Sequence, residues 1–182
     1  MGLSEAVRDT PLRSCLDYWL SLPVPAGAQA PLKRSLDPVE MPRRMLPHLF
    51  IYERTPDGRF RCRLSGTAVV TLSGRDPTGR YLEELVLPRG LPSRLRLFEG
   101  VLAQRRPVLY RGHLMVRAAE WKPFQRLLLP LADEDMAVRF VFGMVDVPAA
   151  RQPWERPRDP ESADLIEEIW ATDDELGRPL AV

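Results

Sequence analysis

Lysine is nearly missing from this chain of 182 residues: only Lys33 and Lys122 contribute to a Lys+Arg total of 26. The basic side chains are almost all arginine, which reads as the codon bias of a GC-rich genome more than as chemistry. With 25 acidic residues the net charge is only +1, and a nucleic-acid footprint needs a clear basic excess. Two cysteines, Cys15 and Cys62, cannot build a disulfide framework, so a reducing cytoplasm is the expected compartment. Two histidines, His48 and His113, cannot build a His-rich metal site. Long apolar runs are also lacking, and none approaches the roughly 20 residues that span a bilayer. The N-terminal stretch MGLSEAVRDTPLRSCLDYWL mixes acids and bases where a signal peptide needs an apolar core. Ala6 stands where an N-acylation site needs Ser or Thr.

What is present suits a globular domain with extensions. The chain is long enough for one real core, and 45% hydrophobic with 28% charged residues is ordinary for such a domain. Thr10 and Pro11 make a helix start, a hydroxyl cap followed by proline at the first helical position. Leu12, Cys15, Leu16, Trp19 and Leu20 then share one face at helical spacing, and Pro23 and Pro25 end the helix. Such an amphipathic helix must cover an apolar surface, its own or a partner's. Residues 1–29 read as this helix and a small-residue linker, 30–148 as the main domain, and 149–182 as a proline-rich linker with a C-terminal helix.

Within the main domain HLFIYERT and Arg59 to Ser65 read as a hairpin around the turn Pro56-Asp57-Gly58. Alternation sends Phe60, Cys62 and Leu64 one way and Arg61, Arg63 and Ser65 the other. Thr67 reads as the cap of a short helix with Ala68, Val69, Val70 and Leu72, which Gly74 stops. Asp76-Pro77-Thr78-Gly79 turns the chain into a second short helix with Tyr81, Leu82 and Leu85. Ser93 to Gln104 is a longer helix with Leu91, Leu95, Phe98 and Leu102 inward. Three strands follow, at 108–116, 124–131 and 138–147, the last two apolar on both faces. A sheet buried on both faces needs a second cover, and the N-terminal helix is the candidate, alone or across a dimer.

The order β-β-α-α-α-β-β-β is that of PAS domains. The segments LDPVEMPRRMLPHLFIYE (36–53), RLSGTAVVTLSGRDPTGRYLEEL (63–85) and LLLPLADED (127–135) resemble the PAS_5 group of short alphaproteobacterial proteins. The resemblance spans about residues 30–147 and implies an α+β fold, a five-stranded antiparallel sheet with short helices on one face, between N- and C-terminal helical extensions. It implies a free-standing bacterial sensory module, with any ligand between the inner sheet face and the short helices.

Some ligand chemistries are then excluded. Haem-sensing members place a histidine on the long helix, and 93–104 has none. Flavin photosensors need a helix cysteine, absent from 67–73 and 80–86. The residues expected to meet a ligand are Cys62, Leu64, Val70, Leu82 and Phe140, with Arg111 and His113 able to hold a carboxylate by charge-assisted hydrogen bonds. The bland readings are core packing for Cys62 and a solvated strand face for Arg111 and His113. Trp121 reads either as an exposed contact or as a sheet-edge cover. GRDPTGR lacks the Lys-Ser ending of a P-loop and does not follow a parallel strand, so its glycines and Asp76 read as turn chemistry.

No catalytic constellation stands out. Glu83 and Glu84 lie on a surface helix, Ser65 and Ser73 have no histidine nearby in sequence, and no metal spacing exists. The leading expectation is a cytoplasmic PAS module, not an enzyme, signalling non-covalently through a small-molecule ligand, an unidentified protein partner and a homodimer made by the N-terminal helix. The cofactor is unknown. The alternatives are a ligand-free structural adaptor or dimerisation unit, and a small-molecule enzyme on a related cone-shaped fold. In the tail, Asp159-Pro160 reads as a helix cap and Leu165, Ile166, Ile169 and Trp170 as a face for a partner. The prolines after the last strand forbid a continuous signalling helix.

Overall fold

The computed structural model of the chain describes residues 1–117, 120–148 and 165–177, and at 114–117, 120–121 and 165–166 the backbone alone. A one-turn helix α1 (Leu3–Ala6) and α2 (Leu12–Ser21) precede the sheet. Strands β1 (Leu49–Arg54) and β2 (Phe60–Ser65) form the first hairpin. Helices α3 (Thr67–Ser73), α4 (Leu82–Leu85) and α5 (Leu91–Gln104) follow, then strands β3 (Val108–Arg117), β4 (Glu120–Ala132) and β5 (Val138–Asp146). The described tail contributes β6 (Leu165–Trp170) and one turn of helix, α6 (Asp173–Leu176). The strands make one sheet in the order β2-β1-β5-β4-β3-β6, every pair antiparallel.

Both sheet faces are covered. On one side Phe50, Phe60, Tyr110, Phe124, Leu128 and Val141 pack against α3, α4 and α5 through Val69, Leu82, Leu97, Phe98 and Val101. On the other, Leu109, Leu127, Leu129, Leu131 and Phe142 pack against Leu12, Cys15, Leu16 and Trp19 of α2, with Met41 and Met45 from the segment before β1. The apolar stripe expected on the N-terminal helix therefore covers the sheet of its own chain. Trp19 fixes that seat by donating its indole N–H to the buried carbonyl of Pro130 at 2.9 Å. Leu20, expected on the stripe, is 42% exposed, and Tyr18 is buried in its place.

Three expectations need correction. Thr67 is the first helical residue of α3, and Gly66, which has no side chain to cap with, takes the cap position. Thr10 does not cap α2: its hydroxyl donates backwards to the Val7 carbonyl at 2.9 Å, in the turn that α1 leaves behind, and Pro11 takes the cap position. The segment from Leu165 to Trp170 is a strand, not a helix, and makes the sheet six-stranded. Its pairing with β3 sets Val108 opposite Trp170 and Tyr110 opposite Glu168. Without it β3 would present an open row of backbone groups. The β-branched and aromatic content of LIEEIW suits a strand, and only the partner edge decides the matter. The Asp159-Pro160 cap and the Trp121 side chain lie outside the described residues.

Candidate functional site

The site is built where the hairpin feeds the short helices. Strand β2 carries one extra residue: Tyr52 faces Cys62 and Ile51 faces Leu64, leaving Arg63 as a bulge. The bulge reverses the alternation, so Leu64 lies opposite Ile51, whose side chain belongs to the α2 side. Gly66 ends the strand, and a Cβ there would lie 2.3 Å from the Pro47 carbonyl oxygen. Only glycine lets β2 pass that turn. After α3 the chain reverses at Gly74, left-handed with φ 70°. Asp76 accepts from the Thr78 amide at 2.9 Å, and that amide, with the Thr78 hydroxyl, holds the carboxyl below its ordinary range. Arg75 donates to the Glu84 carbonyl, tying the turn to α4.

These turns lift α3 and α4 off the inner sheet face and leave a cavity of about 250 Å³. Phe50 and Tyr52 of β1, Val69 and Leu72 of α3, Leu85 to Leu87, and Phe98 of α5 form its apolar wall. Its polar lining is Ser73, Arg75, Arg94, His113 and Arg126 together with the Tyr52 phenol. The aromatic rings interlock edge to face, Tyr52 with Phe98 at 5.3 Å and Phe98 with Phe60 at 5.2 Å, an arrangement that rigidifies the wall. Arg126 donates to the Tyr110 hydroxyl at 3.1 Å and lies 4.9 Å from the Phe124 ring, while Arg94 lies 5.1 Å over Tyr110. Burial pushes the Tyr52 phenol up, and the nearby Arg126 and Arg94 pull the other way.

Other chemistry is sparse. Among the described residues no three His, Cys, Asp or Glu side chains converge to hold a metal ion, and no helix is long and apolar enough to cross a membrane. Cys62 is buried, and burial raises its thiol to about 11 although the Leu64 carbonyl and Tyr52 partly offset this. A thiol so protonated at neutral pH is a poor nucleophile.

A PAS-domain family model, PAS_5, matches residues 7–146. The chain belongs to the PAS_5 family. PAS domains are in general sensory and signalling modules, and the match extends over α2 as well as strands β1 to β5. No curated protein sequence matches the chain. Among solved structures, the light-state structure of the blue-light photoreceptor Aureochrome1 LOV is similar at 15% identity and TM-score 0.43, over 62% of this chain and 90% of that one. A fungal LOV-domain photoreceptor gives 15% and 0.45, over 81% and 100%. An RNA-binding light-oxygen-voltage receptor gives 22% and 0.39, over 55% of this chain and 28% of that one.

Of the seven residues named from the sequence, His113 lines the cavity of this PAS domain. Cys62 and Leu82 are buried beside it without lining it, and Val70 is half-buried on α3. Leu64 is 44% exposed on the far side of the bulge. Phe140 packs with the α2-side core, under the ammonium of Lys33 at 5.5 Å. Arg111 does not share a site with His113: it donates to Glu167 of β6 at 2.7 Å and to the Ala6 carbonyl at 3.1 Å. Sequence reasoning missed Tyr52, Arg75, Arg94 and Arg126. A signal existed for two of them. Arg126 interrupts the inward set Phe124, Arg126, Leu128 of β4, and Arg94 interrupts Leu91, Arg94, Phe98, Val101 on α5. Charge inside an apolar period marks a lined space or a buried partner.

Proposed function

We propose that this PAS domain is a sensory and interaction module of the bacterial cytoplasm, which takes a small molecule into the cavity over its inner sheet face and signals by non-covalent contact. The observation that supports it is the cavity itself. It is concave, walled by aromatic and aliphatic side chains beside a comparable share of polar surface, and just below the usual range of small-molecule pockets of about 300–1,000 Å³. Two free, buried cysteines suit a reducing compartment. Helices α3 and α4 contain no cysteine, so a photochemical thiol adduct of the light-sensor kind is not the proposed mode. The homodimer is proposed in exchanged form, with α1 and α2 swapped between two copies across the linker after Leu22, because the α2 stripe already fits this sheet.

The test is native mass spectrometry of the purified full chain, followed by solvent extraction. Release of a stoichiometric small molecule is the expected result. An empty extract, with no compound of a metabolite panel raising the melting temperature, would favour the ligand-free adaptor.

A further inference from the structure

We propose that the cavity takes a small organic anion, a carboxylate or phosphate head on an apolar body; this rests on the ligand-binding reading above and adds the charge of the ligand. Its lining contains three arginines and a histidine, and no Asp or Glu is among the described lining residues. The bonds of two of these arginines leave their charge uncompensated. Arg126 donates to a neutral phenol, that of Tyr110, and lies over the Phe124 ring. Arg75 donates to a backbone carbonyl, that of Glu84.

The described acids of the surrounding elements are engaged by other partners: Glu53 with Arg63, Glu99 with Arg54, Glu83 with Arg59, Glu168 with Arg96, Asp76 with the Thr78 amide and Glu84 with the Tyr81 amide. Positive charge in a concave, poorly solvated space focuses an attractive field on anions, and a guanidinium fork matches the planar geometry of carboxylate or phosphate oxygens. The rest of the lining sets the body of the ligand. Phe50, Tyr52, Leu72, Leu85, Val86 and Phe98 offer aromatic and aliphatic surface, which a bare inorganic ion would leave unused. Arg126 is half-buried at the sheet while Arg75 is exposed on the turn after α3. The head is thus held at the sheet, and Arg75 stands at the rim.

The experiment titrates the purified full chain with four probes that share a ring and differ in head: benzoate, phenyl phosphate, benzyl alcohol and benzylamine. Isothermal calorimetry and the melting temperature are read at low and high salt. The two anions are expected to bind, more weakly as salt rises, and the alcohol and amine to bind at least tenfold more weakly or not at all. The stronger anion names the head as carboxylate or phosphate. Arg126→Gln should weaken anion binding by about 10- to 100-fold, the range for losing a hydrogen bond to a charged group. The exposed Arg75→Gln, with its melting temperature checked against the wild type because Arg75 also ties the turn to α4, should weaken it a few-fold. Arg34→Gln, on the surface beside Glu134, should change nothing. If the alcohol or amine binds as well as the anions, or if both cavity variants bind benzoate and phenyl phosphate like the wild type, the anion inference falls while the ligand pocket stands. If no probe binds and the extract of the native protein is empty, both fall together.

Discussion

Arg111 and Arg126 come from neighbouring strands and are put to opposite uses. Arg111 is 6% exposed and ties three elements together, β3 through its backbone, β6 through Glu167 and α1 through the Ala6 carbonyl. Its charge is consumed structurally. Arg126 points to the other face, where its partners are neutral, and its charge stays available to the cavity. Nothing in the residue type separates the two; the face of the sheet does. The cysteines show the converse, a chemistry suppressed by place. Burial pushes both thiols up, Cys62 to about 11 and Cys15 further. Neither should react with iodoacetamide at neutral pH in the native protein, and both should react in urea, as mass spectrometry will read. Rapid native labelling of Cys62 would show that the wall beside the cavity opens.

At the scale of elements, a bulge and a tail strand carry the consequences. The bulge at Arg63 turns Leu64 away from Cys62, so a strict two-residue period misassigns every inward residue beyond it. Strand β6 is held by side chains as much as by its ladder. Arg96 pairs with Glu168, Trp170 lies against α5 at Gly100, and Glu175 accepts from the Ser4 amide at 2.7 Å. A Cβ at Gly100 would come within 2.8 Å of the Trp170 ring.

The Arg96 guanidinium holds the Glu168 carboxyl below its ordinary range. Burial alone would raise Glu175, but the amides of Thr172, Ser4 and Leu3 outweigh it and the group is lowered too. Groups depressed on folding stabilise fully above their unfolded value, about 4.3 for Glu, and that contribution is lost as pH falls through the lower folded values. Acidification below about pH 4 should therefore release residues 165–177 before the central strands, read by amide hydrogen exchange. Loss of protection at the same pH in β6 and β5 would count against it.

For the whole molecule, the sheet is the middle layer of three, and the two covers do different work. The α3–α5 side is perforated by the cavity, while the α2 side is closed apolar packing around Trp19. Trp19→Ala removes a fully buried ring and its bond to Pro130, and should cost about 3–5 kcal/mol in urea unfolding. A change below about 1 kcal/mol would mean that α2 is not seated on this sheet in solution. Light scattering completes the test: the exchanged dimer has twice the chain mass, and a wild type at the mass of one chain would dismiss it.

The two apolar faces of β4 and β5, the stripe of α2, the helix stop at Gly74 and the GT and GRDPTGR motifs determined the family, the element order and the need for a second cover, because each is a local pattern that one period or one turn imposes. The cavity arginines, the fate of Leu64 and the sixth strand were decided only by tertiary structure. Register across the β1–β2 bulge, the height at which α3 and α4 stand above the sheet, and the free edge of β3 are relations between segments far apart in the chain. A local pattern shows that Arg126 interrupts an apolar face. Only packing shows that the interruption opens onto a space with no carboxylate among its described lining residues.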